Sequence, residues 1–334
     1  MKKIKVGING FGRIGRVFFR QAFKNVEIVG INDLCSPELS AHLLKYDSVH
    51  GVWDKNIEVK NNNLVIDGQS IALSQHKDPS KIPWKALGAD IVVECTGIFK
   101  TKEDFSAHLL AGAKKVIVSA PSPGVDCTIV YGVNHESYKT EEHKILSNAS
   151  CTTNCLAPLV KVLDEAFKIN FGMMTTIHAY TNDQNILDAP HKDFRRARAG
   201  ALSMIPTSTG AAKAVTQVLP HLKGKIDGLA VRVPTANVSL VDFVMNSKNN
   251  MTKDAVIDVI KKASSGSLKS ILSYEEKQLV SSDFNSSLYS SVVDIESIMI
   301  LEDKTLKILS WYDNENGFSA RMLDLVNYVG QEYA

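Results

Sequence analysis

The sequence predicts an α/β protein of two domains, and three observations support this. The chain has 334 residues, which is long for one compact domain and ordinary for two. Up to about residue 150, short apolar runs such as "IKVGING" and "ADIVVECTG" alternate with amphipathic stretches, as parallel strands joined by helices do. Beyond that point, long strand-like runs indicate a mixed α+β domain. We place the first domain at 1–150, the second at 151–316, and a terminal helix at 317–334 that returns to the first.

Composition excludes several classes of protein. Hydrophobic residues make up 44% and charged residues 22%, values typical of a globular protein rather than a disordered or membrane one. Lys and Arg number 38 against 36 Asp and Glu, so bulk charge does not indicate a nucleic-acid partner. The five cysteines are too few and too scattered for a disulfide scaffold. We therefore expect free thiols, no membrane association and a cytoplasmic location.

A glycine-rich loop lies between the first predicted strand and the first predicted helix. "VGINGFGRIGR" places Gly10, Gly12 and Gly15 in the spacing G-x-G-x-x-G, in which the backbone approaches a pyrophosphate at a helix N-terminus. Asp33 ends the next strand, where a carboxylate accepts the hydroxyl hydrogens of an adenosine ribose and repels a 2′-phosphate. The pattern predicts a Rossmann-type domain that binds NAD in preference to NADP. The alternative is a glycine-rich turn that binds nothing.

A cysteine and a histidine are the candidate catalytic pair. "SNASCTTNC" places Cys151 just before a predicted helix, whose N-terminal N–H groups lower a thiol pKa and stabilise an oxyanion. His178, in "TTIHAY", is a candidate base for that thiol. A lone cysteine or histidine is more often a core residue. Cys155 follows one helical turn later, but no second Cys/His cluster has metal-ligand spacing, so we expect no metal site.

Arginines suggest an anion site in the second predicted domain. Arg195, Arg196 and Arg198 cluster in an aperiodic segment of about thirty residues after His178, and Arg232 lies in "VRVPT". Guanidinium groups bind phosphate oxygens through paired hydrogen bonds. The alternative is a solvated basic loop.

Together these motifs resemble those of the phosphorylating glyceraldehyde-3-phosphate dehydrogenases. The resemblance runs nearly end to end and rests on "INGFGRIGR", "SNASCTTNC", "TTIHAYTNDQ", "RRARA", "IPTSTGAAKAV", "AVRVPT" and "WYDNENG". It implies a Rossmann-type NAD-binding domain with a mixed α+β catalytic domain, assembled as a homotetramer. It also implies that glyceraldehyde 3-phosphate is oxidised to 1,3-bisphosphoglycerate, with inorganic phosphate as the second substrate.

The resemblance assigns roles to individual residues. Cys151 would be the nucleophile and His178 its base. The substrate phosphate would be held by Thr181 and Arg232, and the inorganic phosphate by Ser150, Thr152, Arg196, Thr209 and Gly210. The dinucleotide would be held by Gly10, Gly12, Arg13, Ile14, Gly15, Asp33, Thr96, Ser119 and Asn314.

The chain departs from the family pattern near the cofactor. Asn316 stands where Trp is usual, Phe318 where Tyr is usual, and Asn185 where many members have Arg. Ala189 resembles NADP-using relatives while Pro190 resembles NAD-specific ones, so some NADP use remains open. Erythrose-4-phosphate dehydrogenase shares the glycine loop and the cysteine motif, but "HAYTNDQ" favours the phosphorylating enzyme. A non-catalytic NAD-binding interaction protein is the other alternative.

Overall fold

The structure is a computed structural model, and it describes residues 3–334. The chain divides into two compact units. The first unit runs to Tyr131, resumes over His135–Ala149 and ends with Ser319–Ala334; the second comprises Gly132–Asn134 and Ser150–Phe318. Among these described residues, no helix has both the length and the apolarity needed to cross a membrane.

The first unit is built on a nine-stranded sheet. Its strands are β1 (Lys5–Asn9), β2 (Glu27–Asn32), β3 (Ile57–Lys60), β4 (Asn63–Ile66), β5 (Gln69–Ser74), β6 (Ile91–Glu94), β7 (Lys115–Val118), β8 (Cys127–Thr128) and β9 (Ile145–Ser147). Their order is β3-β4-β5-β2-β1-β6-β7-β9-β8. All neighbours pair in parallel except β3 with β4 and β4 with β5. Strands β3, β4 and β5 therefore form an antiparallel insertion in an otherwise parallel sheet.

Helices cover this sheet. They are α1 (Arg13–Ala22), α2 (Pro37–Lys45), α3 (Trp84–Leu87), α4 (Lys102–Leu110) and, from Ser319 on, the last helix of the chain (Asn316–Gly330). Apolar residues of α1, such as Phe18, and of the last helix, such as Val326, share one core with β1. Because β1 lies between β2 and β6 in parallel register, Asn9 pairs with both Asn32 and Glu94. Three polar side chains therefore meet at the carboxyl edge of the sheet.

The second unit is built on a seven-stranded mixed sheet. Its helices are α5 (Cys151–Phe167), α6 (Ala211–Val218) and α7 (Lys253–Ser265), and its strands are β10 (Ile169–Ala179), β11 (Ile205–Ser208), β12 (Ile226–Val233), β13 (Ser239–Ser247), β14 (Leu272–Glu275), β15 (Ser291–Leu301) and β16 (Thr305–Tyr312). The strand order is β11-β12-β10-β13-β16-β15-β14. We call the last helix of the chain (Asn316–Gly330) α8. The predicted α/β class with a mixed second domain is confirmed.

Two features of the second unit place its polar residues. Helix α5 packs its apolar side on the sheet, which orients its first turn at the carboxyl end of β10. Strands β10 and β12 pair in parallel, with His178 opposite Arg232. The chain between β10 and β11, residues 180–204, forms no helix or strand, so the aperiodic segment is real but shorter than expected, because its end forms β11.

Candidate active site

Cys151 is the first residue of helix α5. Ser150 precedes it in an extended conformation and caps the helix, its Oγ accepting from the backbone N–H of Thr153 at 3.0 Å. Ala149 has φ 57°, a left-handed conformation that residues other than glycine seldom adopt. This turn of the backbone directs the chain so that the helix begins at Cys151. The thiol therefore lies beside N–H groups that have no partner within the helix.

His178 faces this thiol from the end of β10. Its Nε2 lies 3.4 Å from Sγ of Cys151. Its Nδ1 lies 2.6 Å from the carbonyl oxygen of Ala179, and because a carbonyl only accepts, Nδ1 carries the proton. The neutral ring consequently directs its basic nitrogen at the cysteine. The structure brings together the two residues that the sequence singled out, and this geometry suits proton exchange between them.

The surroundings shift both pKa values. Burial raises the pKa of the Cys151 thiol, while the positive charge of Arg232 and hydrogen bonds with Thr152 act in the opposite direction. We predicted that the helix N-terminus would lower this pKa. The net shift is upward, because desolvation outweighs the effect of the helix N-terminus, so that prediction is wrong. Burial, followed by the charge of Arg232, lowers the pKa of His178 to about 3. The resting pair is a thiol and a neutral imidazole.

Arg232 lies next to this pair, and its donors are only partly used. Its Nη1 donates to the carbonyl oxygen of Ala179 at 3.2 Å and to Oγ1 of Thr181 at 3.1 Å. Its Nε is buried without an acceptor, and no carboxylate within residues 3–334 lies in ion-pair range of it. A partly buried guanidinium with an unused donor is unfavourable unless an anion completes it. The arrangement of Arg232 and Thr181 would suit an anion, and its binding of the substrate phosphate stays a prediction.

Among the residues predicted to hold inorganic phosphate, Arg196 already has several partners within the protein. Arg196 donates to Asp183 at 2.6 Å, to Oγ1 of Thr207 at 3.0 Å and to the carbonyl of Ser208 at 3.1 Å. Its charge still lowers the pKa values of both His178 and Arg232, which places it nearby. Its side chain is held mainly by protein acceptors, and its binding of phosphate stays a prediction.

The other members of this set lie at two helix N-termini. Oγ1 of Thr153, in the first turn of α5, lies 3.4 Å from the carbonyl oxygen of Ala211, the first residue of α6. Gly210 caps α6, and a Cβ there would meet no atom within 4 Å. The side chains of Ser150, Thr152 and Thr209 are engaged with Thr153, Tyr312 and the backbone N–H of Ala211 respectively. The backbone groups near Gly210 are the more open donors.

A cavity of about 280 Å³ lies at the carboxyl edge of the first unit's sheet. It is lined by four of the predicted cofactor residues, Gly10, Gly12, Asp33 and Thr96. Gly10 has φ 89°, and a Cβ on it would lie 2.6 Å from the backbone nitrogen of Thr96. A Cβ on Gly12 would meet nothing within 4 Å, so the backbone there is open to a ligand. These features fit the approach of a pyrophosphate to the loop.

The remaining cofactor candidates do not line this cavity. A Cβ on Gly15 would lie 2.2 Å from the carbonyl oxygen of Gly10, so Gly15 serves the close packing of loop and helix. Arg13 pairs with Asp47 at 2.6 Å and Ile14 packs against the core. Ser119 and Asn314 also lie outside the cavity lining. Ser119 directly follows β7. Asn314 belongs to the second unit, where its Oδ1 accepts from the hydroxyl of Ser239. Their contacts with the cofactor stay predictions.

Asn9 and Asn32 are among the lining residues that sequence reasoning missed. Both are almost fully buried. A signal for them existed, because β1 and β2 each end in Ile-Asn and a buried polar residue at the carboxyl end of a parallel strand faces the ligand edge. Asp33, which follows Asn32, accepts from the backbone N–H of Phe11 at 2.6 Å, and so also holds the glycine loop.

An α/β unit with a glycine-loop cavity, joined to a unit in which a thiol, an imidazole and a guanidinium lie together, is typical of an NAD-dependent oxidoreductase. Two family profiles match the chain: the glyceraldehyde 3-phosphate dehydrogenase NAD binding domain over residues 4–102, and the C-terminal domain of the same enzyme over residues 150–314. The chain belongs to the glyceraldehyde-3-phosphate dehydrogenase family, and its cofactor is NAD.

Individual relatives agree along the whole chain. Glyceraldehyde-3-phosphate dehydrogenase of Geobacillus stearothermophilus is 56% identical over 98% of this chain and 99% of its own length. Glyceraldehyde-3-phosphate dehydrogenase 1 of Bacillus subtilis is 55% identical, with the same coverage of both chains. Glyceraldehyde-3-phosphate dehydrogenase of Streptomyces coelicolor is 51% identical, again over 98% of this chain and 99% of its own length.

Proposed function

We propose that this chain oxidises and phosphorylates D-glyceraldehyde 3-phosphate to 1,3-bisphosphoglycerate, through a thioester on Cys151. The observation that carries the proposal is the thiol 3.4 Å from Nε2 of His178, beside the guanidinium of Arg232, which forms no ion pair with any carboxylate of residues 3–334. The pair supplies a nucleophile with its base, and the guanidinium supplies a site for the substrate's phosphate. The family to which the chain belongs supports the same reaction.

His178 moves the proton in the first step. Sγ of Cys151 adds to the aldehyde carbon, and the thiol proton passes through Nε2 of His178 to the carbonyl oxygen, which gives a neutral hemithioacetal. The free N–H groups at the start of α5 favour the charge that develops on that oxygen. Arg232 and Thr181 bind the phosphate of the substrate, so that the aldehyde is held near the thiol.

Oxidation and phosphorolysis follow. Bound NAD supplies the acceptor for the hydride. As the carbon is oxidised, Nε2 of His178 accepts the hydroxyl proton, and a thioester remains on Cys151. An oxygen of inorganic phosphate attacks the thioester carbon, the C–S bond breaks, and the departing thiolate regains its proton from His178. The proton of the phosphate is released, and the thiol and neutral imidazole are restored.

The two phosphates require two anion sites. Arg232 and Thr181 form the first, for the substrate. We assign the second to Arg196, Thr209 and the start of α6 at Gly210, with Ser150 and Thr152 at the start of α5. Gly10, Gly12, Asp33 and Thr96 would hold the dinucleotide in the cavity that they line. Arg13, Ile14, Ser119 and Asn314 would complete its binding outside that cavity.

We further propose a homotetramer in the cytoplasm. The segment 180–204 exposes large apolar side chains; Ile186, Phe194, Leu202 and Met204 are each at least 74% exposed. Such a patch is unfavourable in water and favours burial against another copy of the chain. All five cysteines are free thiols, as is usual in a reducing compartment. Sedimentation equilibrium tests the assembly; a monomer across the micromolar range would contradict it.

The experiment that tests the reaction measures the reduction of NAD with glyceraldehyde 3-phosphate, with and without inorganic phosphate. We expect phosphate-dependent turnover that disappears in Cys151→Ala. Faster turnover of erythrose 4-phosphate without a phosphate requirement would instead indicate that related dehydrogenase. No turnover of either aldehyde by a protein that binds NAD would indicate a binding role. Replacing NAD with NADP in the same assay measures how strictly the coenzyme is selected.

A further inference from the structure

A continuous chain of polar side chains, all buried except the half-buried Ser74, crosses the first unit at the dinucleotide cavity. Its members, in order, are Ser74, Asn32, Asn9, Glu94, His108 and Trp84. Glu94 and His108 are 2% and 0% exposed, and among residues 3–334 Glu94 has no Lys or Arg partner. We call this chain the polar ladder. Buried polar groups are costly unless every donor meets an acceptor, so the direction of each bond is informative.

One end of the polar ladder is fixed by a backbone donor. The N–H of His76 donates to Oδ1 of Asn32 at 2.9 Å. The amide nitrogen of Asn32 therefore points the other way, and it donates to Oδ1 of Asn9 at 2.8 Å. The amide nitrogen of Asn9 in turn donates to Oε2 of Glu94 at 2.6 Å. Because a backbone N–H cannot reverse, this whole arm delivers a donor to Glu94.

The other end is fixed by an indole. Nε1 of Trp84 donates to Nδ1 of His108 at 3.0 Å, and an indole N–H can only donate. Nδ1 of His108 is therefore an acceptor, and the proton of the neutral ring lies on Nε2, 3.0 Å from Oε2 of Glu94. A second donor thus reaches the same carboxylate.

A third set of hydrogen bonds to Glu94 comes from Thr96, in the loop that lines the cavity. The backbone N–H of Thr96 donates to Oε1 of Glu94 at 2.7 Å, and the hydroxyl of Thr96 also donates to this oxygen. Each carboxylate oxygen therefore accepts from two donors. The carboxylate of Glu94 can meet all four donors, whereas the amide nitrogen of a glutamine would place its own hydrogens against two of them.

We propose that Glu94 is a positioning residue for the dinucleotide. It is the common acceptor of three arms whose outer donors cannot reverse, and so it completes the hydrogen bonds that hold Asn9 and Thr96 in place and, through Asn9, Asn32. Those three residues line the cavity, whereas Glu94, His108 and Trp84 do not. The shape and donor pattern of the cavity wall are thereby set before the ligand arrives, which lowers the cost of binding. The inference rests on the proposed function only in taking this cavity as the place where NAD binds.

Glu94→Gln is the direct test, because glutamine keeps the volume and removes the charge. NAD affinity is measured by calorimetry, and kcat and the KM of each substrate are measured by turnover. We expect the Kd and KM for NAD to rise about tenfold, the effect of one unmade buried hydrogen bond. At saturating NAD, we expect kcat and the KM for inorganic phosphate to stay close to those of the wild type.

Asp90→Asn is the matched control. Asp90 is also a buried carboxylate, directly before β6, and it accepts from the backbone N–H of Lys5 at 3.0 Å and from Lys114 at 2.6 Å. It lies at the end of the strand opposite to Glu94. We expect this variant to lower the unfolding temperature and to leave NAD affinity unchanged, which separates a loss of pocket shape from a loss of stability.

A second pair of variants keeps the proposal testable if Glu94→Gln does not fold. His108→Gln can still present an N–H to Glu94 and an oxygen to Trp84, whereas His108→Leu can do neither. We expect the leucine variant to bind NAD more weakly than the glutamine variant. Unchanged NAD affinity in Glu94→Gln and His108→Leu, or an equal loss in Asp90→Asn, would overturn the proposal. A wild-type protein that fails to bind NAD would overturn the proposed function instead.

Discussion

Sγ of Cys151 and Nε2 of His178 lie 3.4 Å apart, and the proton on Nδ1 of the same ring is held by a backbone carbonyl. The ring is thereby restricted to the tautomer that accepts from the thiol. Because the two residues belong to a helix start and a strand end packed in one unit, their separation is set by the packing of α5 on the sheet.

Replacing Cys151 with alanine should abolish turnover, while replacing Cys155 should not. Cys155 is fully buried one turn further along α5, with its sulfur 3.7 Å from Oγ of Ser291, and it has no route to a substrate. Cys155→Ala is therefore the matched control. Mass spectrometry after brief treatment with iodoacetamide should find the label on Cys151 and not on Cys155. Labelling of Cys155 at a similar rate would contradict the assigned roles.

His178→Asn should lower kcat by about 10²- to 10⁴-fold, the usual contribution of a positioned general base. Asparagine can keep the hydrogen bond to Ala179 but has no basic nitrogen to accept the thiol proton. NAD affinity should be unchanged, because His178 belongs to the second unit and does not line the cofactor cavity. Steady-state and calorimetric measurements separate these two effects. A kcat within a few-fold of wild type would remove His178 as the base.

Arg232→Leu should raise the KM for glyceraldehyde 3-phosphate by about 10- to 100-fold, the effect of losing a charge-assisted hydrogen bond. It should also raise the pKa of Cys151, because the charge of Arg232 acts to lower that pKa. The rate of thiol alkylation as a function of pH measures this shift. Arg198→Leu is the control, since Arg198 is exposed and pairs with Asp188. Equal effects of the two variants would contradict a specific anion site.

Much of this site could be predicted because its signals are local. The glycine loop, the cap at Ser150 and the start of α5 at Cys151 depend on a few consecutive residues. The pairing of His178 with Arg232 depends on the register of β10 and β12, and no short-range pattern encodes that register. The direction of the pKa shift of the Cys151 thiol was also predicted wrongly, because that shift too depends on tertiary structure. Desolvation depends on tertiary packing around Cys151, whereas the effect of the helix terminus can be inferred from sequence.

The fold, like the site, could be predicted where its signals are local and could not where they depend on tertiary contacts. The alternation of strands and helices in the first unit predicted a parallel sheet, because crossover connections impose that arrangement. The polar ladder was not predicted, because its members come from strands and helices far apart in the chain and meet only when the sheet forms. Asn9, Asn32 and Glu94 each end a strand, and only their shared register shows that they form one network.

Gly12→Ala should weaken NAD binding about tenfold or more and leave stability nearly unchanged. Gly12 has φ −70°, which alanine adopts without strain, and its Cβ would project into open space where the pyrophosphate is expected. Gly10→Ala is the contrasting variant, because φ 89° and a contact of 2.6 Å predict a loss of stability as well. Calorimetric titration with NAD and thermal unfolding distinguish the two. Normal NAD affinity in Gly12→Ala would place the pyrophosphate elsewhere.

Asp47 should make the first unit sensitive to acid. Burial acts to raise the pKa of Asp47, but the backbone N–H groups of His50 and Val49, together with Arg13, hold the pKa at about 2. Because the folded pKa lies below the unfolded value of 3.8, the carboxylate stabilises the fold above pH 3.8, and this contribution is lost as pH falls towards 2. The shift corresponds to about 2 kcal/mol.

The measurement is urea unfolding of the wild type and Asp47→Asn between neutral pH and pH 2. We expect the variant to be less stable by about 2 kcal/mol at neutral pH and the difference to shrink to near zero at the acid end. Asp54→Asn is the control, because Asp54 is exposed in the same segment and forms no ion pair within the described residues. If the difference between wild type and Asp47→Asn stayed constant with pH, the stabilisation would come from packing and not from the ionised carboxylate.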